Sequence, residues 1–334
     1  MTSSYDNSSM DSYKRCPRAF YFRHVRHLFG EGTKPSLAFG GAWGSAMDAL
    51  WTARLTQRMS KADAFDAAVE AWRGEWTNRG MELELAAHEA EELSPRLPAT
   101  AMRMLADYIR EREALLDPDQ TELISCEQPF EVPLPPSDCV YTGLFDKLVQ
   151  HRGQVLCIEH KTTSLYAKGG PFRSTYVDGW SMNSQVDGYL YALSRLYPKA
   201  RTAVWVDAAL VHKTVSGFQI IPVEKQRPQL QAWQWEATFW ASLIETDKRV
   251  CSTCPTETPI MYAFPKNTNG CYAYNTSCQY MDMCRAWSNP LARADQVPPG
   301  FTIEEWDPLE RGQAPVIRVP LGDMEMVQVH KAPE

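Results

Sequence analysis

Val155-Leu156-Cys157-Ile158-Glu159-His160-Lys161-Thr162-Thr163-Ser164 joins an apolar run to an acid and a lysine two residues apart. The run reads as a buried strand. Successive side chains of a strand take opposite faces, so Glu159 and Lys161 project together while His160 points away. An acid beside a fixed cation can hold a metal ion and a scissile phosphate at once. The same pair also suits a solvated strand edge, so its neighbours must decide.

The strand has a partner in the sequence. Residues 139–150 and 154–161 both read as strands, and His151-Arg152-Gly153 joins them. With Arg152-Gly153 as a two-residue hairpin loop, His151 pairs with Gln154, and counting back sets Asp146 directly across from Glu159. Directly opposed residues have Cβ atoms roughly 4.5–5.5 Å apart, and like charges there repel unless something neutralises them. A divalent cation is the expected neutraliser. Mg²⁺ or Mn²⁺ takes oxygen ligands and retains waters, so Asp146, Glu159 and the His160 backbone carbonyl make a candidate open site. Such an ion lowers the pKa of bound water and stabilises charge on a phosphate, with Lys161 acting on the nucleophile or the transition state.

Upstream the chain reads as helical. A helix is expected over 8–28, with Met10, Tyr13, Cys16, Phe20 and Tyr21 on one face and Pro17 bending it or marking its true start. Others follow from Gly40 through Asp48 to Leu50, over 61–76 and over 98–116, with the acidic stretch 81–92 facing solvent. A strand over 121–132 begins the sheet. After the quoted stretch come a loop over 164–179 and a helix over 181–197, where Gln185 and Tyr189 are four apart and share a face. Strands over 202–213 and 217–221, the second ended by Pro222, precede a helix over 226–247 whose Trp233, Trp235 and Trp240 are expected in the core. The Pro-rich tail offers a short hairpin from 316–319 and 326–329.

With 334 residues, 44% of them hydrophobic, the chain can bury one decorated domain. Its parts are a helical region over 1–120 contributing Cys16 and Asp48, an α/β core over 121–250, a cysteine segment over 251–290 and an extension over 291–334. The polar N-terminus and the lack of a long apolar run predict a cytoplasmic protein with no membrane partner. A net charge of −7 excludes a broadly basic nucleic-acid binder. It leaves room for a local track of Lys14, Arg15, Arg18, Arg23, His24, Arg26 and His27, which equally suits a solvated helix face.

Nine cysteines, an odd number, argue against a secreted disulfide framework. Cys271, Cys278 and Cys284 cluster late in the chain, and Cys251-Ser252-Thr253-Cys254 has ordinary zinc spacing. Soft thiolate sets select zinc or an iron–sulfur cluster. Cys126, Cys139 and Cys157 lie in apolar strands and read as small buried hydrophobes.

In this order the pieces resemble the RecB-like branch of the PD-(D/E)XK nucleases, which includes CRISPR-associated and phage exonucleases with a cysteine-bound cluster. Gly44-Ser45-Ala46-Met47-Asp48 sits where that family has G-x-x-x-H, and Gly143-Leu144-Phe145-Asp146 looks like its G-x-x-D. Glu159-His160-Lys161 looks like (D/E)-x-K, and Gln185-Val186-Asp187-Gly188-Tyr189 fits Q-x-x-x-Y. The resemblance implies an α/β restriction-endonuclease-like core, a central mixed sheet flanked by helices, and a C-terminal cluster segment packed on the N-terminal helix. It implies a metal-dependent DNA exonuclease acting on single strands or duplex ends. Asp146, Glu159, Lys161, Gln185 and Tyr189 would be its catalytic set. Mg²⁺ or Mn²⁺ would sit on Asp48, Asp146, Glu159 and the His160 carbonyl. A 4Fe-4S cluster would take Cys16, Cys271, Cys278 and Cys284, with zinc on Cys251, Cys254, Cys271 and Cys278 as the alternative. Arg15, Arg18, Thr162, Lys168 and Arg173 are the candidate DNA contacts. Asp48 departs from the family's histidine, which leaves open the number of metals, and with it a nucleic-acid binding or assembly module that has lost cleavage.

Overall fold

A computed structural model describes residues 3–167, 169–273, 276–307, 309–310, 312 and 314–319. Lys168 and the expected strand at 326–329 lie outside them. The helices that carry the argument are α1 (Asn7–Arg15), α2 (Pro35–Trp51), α3 (Lys61–Asn78), α4 (Pro98–Glu111), α5 (Ser184–Leu196) and α6 (Arg227–Thr253). The main strands are β1 (Thr121–Pro133), β2 (Val140–His151), β3 (Gln154–Thr163), β4 (Arg201–Leu210) and β5 (Phe218–Val223).

The hairpin between β2 and β3 is where local chemistry sets the sheet. Arg152 and Gly153 both have positive φ, 47° and 81°, as a two-residue loop matched to strand twist requires. His151 therefore pairs with Gln154, and the antiparallel ladder runs back as far as Lys147 and Ile158. β3 pairs in parallel with β4 along its whole length, α5 supplying the crossover, and β5 closes that edge antiparallel to β4. β1 lies antiparallel on the other side of β2. Ile317–Arg318 extends β1 in parallel and Ser4–Tyr5 pairs with the start of β2, giving a mixed seven-stranded sheet.

Each face of the sheet has its own core, and β3 feeds both by alternation. Val155 and Cys157 pack with α5 and α6 through Leu190, Trp233 and Ala237. Leu156 and Ile158 pack with α2, α3 and α4 through Trp43, Trp51, Trp72, Trp76 and Tyr108. Residues 35–111 thus form one layer of the α/β core. On that side Asp207, on β4, accepts hydrogen bonds from the Tyr108 hydroxyl at 2.6 Å and from Arg112 Nη2 at 2.7 Å, all three residues being buried. Arg112→Met strands that carboxylate without a cation and is expected to cost about 3–5 kcal/mol in urea unfolding.

Several local expectations change. Cys16 is extended, with φ −163° and ψ 109°, and breaks the first helix in two, because a residue before proline is disfavoured in the α region. Ser174–Gly179, expected in a loop, is a short helix. Pro222 lies inside β5 opposite Trp205 instead of ending it; an edge strand has a free side on which a missing N–H is harmless. Trp233 is core, but Trp235 is 68% exposed and stacks on the exposed Phe239. No helix among the described residues is long and apolar enough to cross a membrane.

Candidate active site

The site is built where β2 and β3 part. Their ladder ends at Lys147 and Ile158, so Asp146 and Glu159 are not the face-to-face pair that counting predicts. Instead, Asp146 Oδ2 accepts the His160 N–H at 3.0 Å, a side chain taking the place of a ladder carbonyl. The Leu144 carbonyl accepts the Tyr189 hydroxyl at 2.7 Å. The His160 N–H is thus satisfied across the split, and the Leu144 carbonyl, opposite Pro129 of β1 with its missing N–H, is satisfied from α5. A residue's N–H and C=O leave a strand on the same side, so the His160 carbonyl also faces the split. Gly143 is required one turn of the pleat earlier: a Cβ there would lie 2.5 Å from the Phe130 ring, which stacks on Phe145 at 4.3 Å.

Glu159 is 1% exposed. Its Oε1 meets Lys161 Nζ at 2.5 Å and accepts Gln185 Nε2 at 3.0 Å, and Gln185 Nε2 also reaches the Tyr189 hydroxyl at 2.9 Å. The Asn183 side chain caps α5 by accepting the Gln185 and Val186 N–H groups, which fixes Gln185 in the first turn. Glu159 Oε2 is buried and has no hydrogen-bond partner among the described residues. A buried carboxylate oxygen left bare beside a second carboxylate suits a hard cation, and Asp146 and Glu159 fit Mg²⁺ or Mn²⁺.

Charge state follows from this packing. Burial, then the nearby Asp146, pushes the Glu159 carboxyl up to about 7 against the pull of Lys161 and Gln185. Burial disfavours the Lys161 ammonium, but Glu159 and Asp146 outweigh it and its pKa is raised. A cation entering below about pH 7 must displace a proton from Glu159, so Mn²⁺ affinity is expected to fall about tenfold per pH unit there and to level off above about pH 8. Titration calorimetry from pH 5.5 to 8.5 reads this, and a flat profile would contradict it.

Asp48, expected as a metal ligand, has its carboxylate in an ion pair with Lys147 Nζ. Lys147 was not recognised in the sequence; its one signal there was a lysine between Asp146 and the apolar Leu148-Val149. Arg18 is also withdrawn from DNA contact, since it is 3% exposed and its Nε donates to the Phe264 carbonyl. The expected cationic track is largely consumed in the same way. Arg23 donates to the Glu304 carbonyl and Arg26 to those of Arg293 and Gln296, tying the C-terminal segment to the first helices. Arg15 and Arg173 stay exposed, and Thr162 is half-buried at the end of β3.

Cys16, Cys271, Cys278 and Cys284 line one narrow cavity, while Cys251 and Cys254 lie at the end of α6 outside its lining. Cys16 Sγ accepts the Asn267 N–H at 3.4 Å. Arg18 acts on Cys16 and Cys284 of this set and on Cys251 outside it, and its buried Nη1 has no hydrogen-bond partner among the described residues. Among the described residues, however, no three His, Cys, Asp or Glu side chains are gathered closely enough to hold a metal ion. Cys157 and Cys139 are buried as expected, and Cys126 is half-buried against Thr52.

A family model of the PD-(D/E)XK nuclease superfamily matches residues 7–285. Among 18 solved chains that match, a protein of Eubacterium rectale named "Putative exonuclease" is similar over 84% of this chain and 92% of its own, with 11% identity and a TM-score of 0.44. No curated protein matches.

Proposed function

From the premise that this chain belongs to the PD-(D/E)XK nuclease superfamily, we propose that it is a metal-dependent deoxyribonuclease, acting as an exonuclease on single-stranded DNA or duplex ends. The observation that carries the reading is the split of β2 from β3, with Asp146 bonded across it and Glu159 Oε2 bare beside it. Asp146, Glu159 and the His160 carbonyl would hold Mg²⁺ or Mn²⁺, which when bound supplies an activated water and neutralises phosphate charge. Lys161, pinned to Glu159, places a fixed cation where charge develops on the phosphate. Gln185 and Tyr189 lock the Glu159 carboxylate and the Leu144 carbonyl in place. End-labelled single- and double-stranded DNA incubated with Mg²⁺, Mn²⁺ or EDTA tests all of this. Cleavage that survives EDTA would overturn it.

For the cysteines we infer a 4Fe-4S cluster on Cys16, Cys271, Cys278 and Cys284. Their shared cavity, whose lining leaves out Cys251 and Cys254, supports this over zinc on Cys251, Cys254, Cys271 and Cys278. Anaerobically purified protein is expected to be brown, absorbing near roughly 400 nm, and Cys16→Ser to bleach it. A colourless, zinc-loaded protein would favour the other set.

The Asp48–Lys147 pair favours a second reading, a DNA-binding or assembly module with impaired cleavage. Turnover of labelled DNA by wild type that is lost in Glu159→Ala excludes it.

A further inference from the structure

Three carboxylates and two lysines lie around the split, and each lysine takes one carboxylate. Lys161 is paired with Glu159, and Lys147 with Asp48. The pairs are not equivalent. Lys161 keeps 34% of its side chain exposed, so part of its charge is solvated. The Lys147 side chain is 1% exposed, and it points to the face covered by α2, away from α5. It cannot leave Asp48 without becoming an unpaired buried charge. Asp146 is close enough to act on both members of the pair, so Lys147 already sits as a fixed positive charge beside the centre.

The charge count then limits what the centre takes up. With all five groups ionised the local charge is minus one, and one divalent cation brings it to plus one. A second would leave a large positive charge in a buried site, with no third unpaired carboxylate among these groups to receive it.

We propose that Lys147 is an internal cation that takes up the Asp48 carboxylate, so that the centre holds a single divalent cation and Asp48 is not among its ligands. The proposal rests on the metal-dependent reading above. It makes Lys147 a positioning residue that sets metal stoichiometry and not a group that touches the substrate.

The test is to count bound Mn²⁺ by electron paramagnetic resonance during titration with MnCl₂ at pH 8.5. Wild type is expected to bind one Mn²⁺ per chain at the carboxylate centre. The double variant Asp48→Leu with Lys147→Met replaces the buried pair by apolar groups, a change buried pairs commonly tolerate. It is expected to bind one Mn²⁺ with a Kd within about twofold of wild type. Lys147→Met alone frees Asp48 and is expected to add a second Mn²⁺ or to tighten the first about tenfold. Should that single variant fail to fold, the double variant still decides. Two Mn²⁺ in wild type, or a tenfold or greater loss of affinity in the double variant, overturns the proposal while leaving the metal-dependent reading intact. An unchanged count and affinity in folded Lys147→Met also overturns it. No Mn²⁺ bound by wild type overturns both.

Discussion

Asp146→Asn is expected to abolish Mg²⁺- or Mn²⁺-dependent cleavage, by about a thousandfold or more, while the protein stays folded. The substitution separates two jobs of one side chain. An asparagine oxygen can still accept the His160 N–H, so the split of β2 from β3 survives. What disappears is the negative charge that, with Glu159, gives a cation its site. Circular dichroism and thermal unfolding should match wild type, and Mn²⁺ affinity should drop about a hundredfold or more. Glu159→Gln is expected to behave alike, with one further sign: burial costs a neutral amide less than a carboxylate, so metal-free stability above about pH 7 should rise, not fall. Undiminished cleavage by either variant would sink the assignment.

The second large effect is at Lys161. Lys161→Met is expected to lower kcat by roughly a hundred- to a thousandfold while keeping Mn²⁺ binding at pH 8.5. Lys161 puts a positive charge on the carboxylate whose other oxygen would receive the cation, so its removal should hold or tighten Mn²⁺ affinity once Glu159 is ionised. Below about pH 7 the sign reverses. Without the neighbouring ammonium the Glu159 pKa rises further, and protons compete with metal over a wider range. A parallel loss of metal binding and cleavage at pH 8.5 would instead make Lys161 a purely structural partner of Glu159.

The legible features were local ones. Strand alternation put Glu159 and Lys161 on one face and His160 on the other, and His160 does point away, toward Trp51 and Tyr108. The positive-φ turn at Arg152-Gly153 fixed the register of β2 on β3. Counting then failed at the next step, at Asp146. A ladder continues only while both strands keep backbone partners, and here the Asp146 carboxylate takes over the His160 N–H, with Tyr189 from α5 on the nearby Leu144 carbonyl. Neither competitor is local in sequence.

Asp48 and Arg18 have partners that the sequence did not show, for a related reason. Their types suit metal and phosphate, but availability depends on which buried group reaches them first. Lys147 from β2 reaches Asp48 and the Phe264 carbonyl reaches Arg18, across separations of 99 and 246 residues.

By itself, then, the sequence determined which residue types lie on which strand face, the hairpin that aligns them, and the helix that carries Gln185 and Tyr189, because each depends on periodicity and turn chemistry within a few residues. Only the tertiary structure decided that the strands split at Asp146, that Glu159 keeps one oxygen bare, and that Lys147 holds Asp48. Those depend on burial, which removes water as a partner and forces every charge and backbone group to find another within reach.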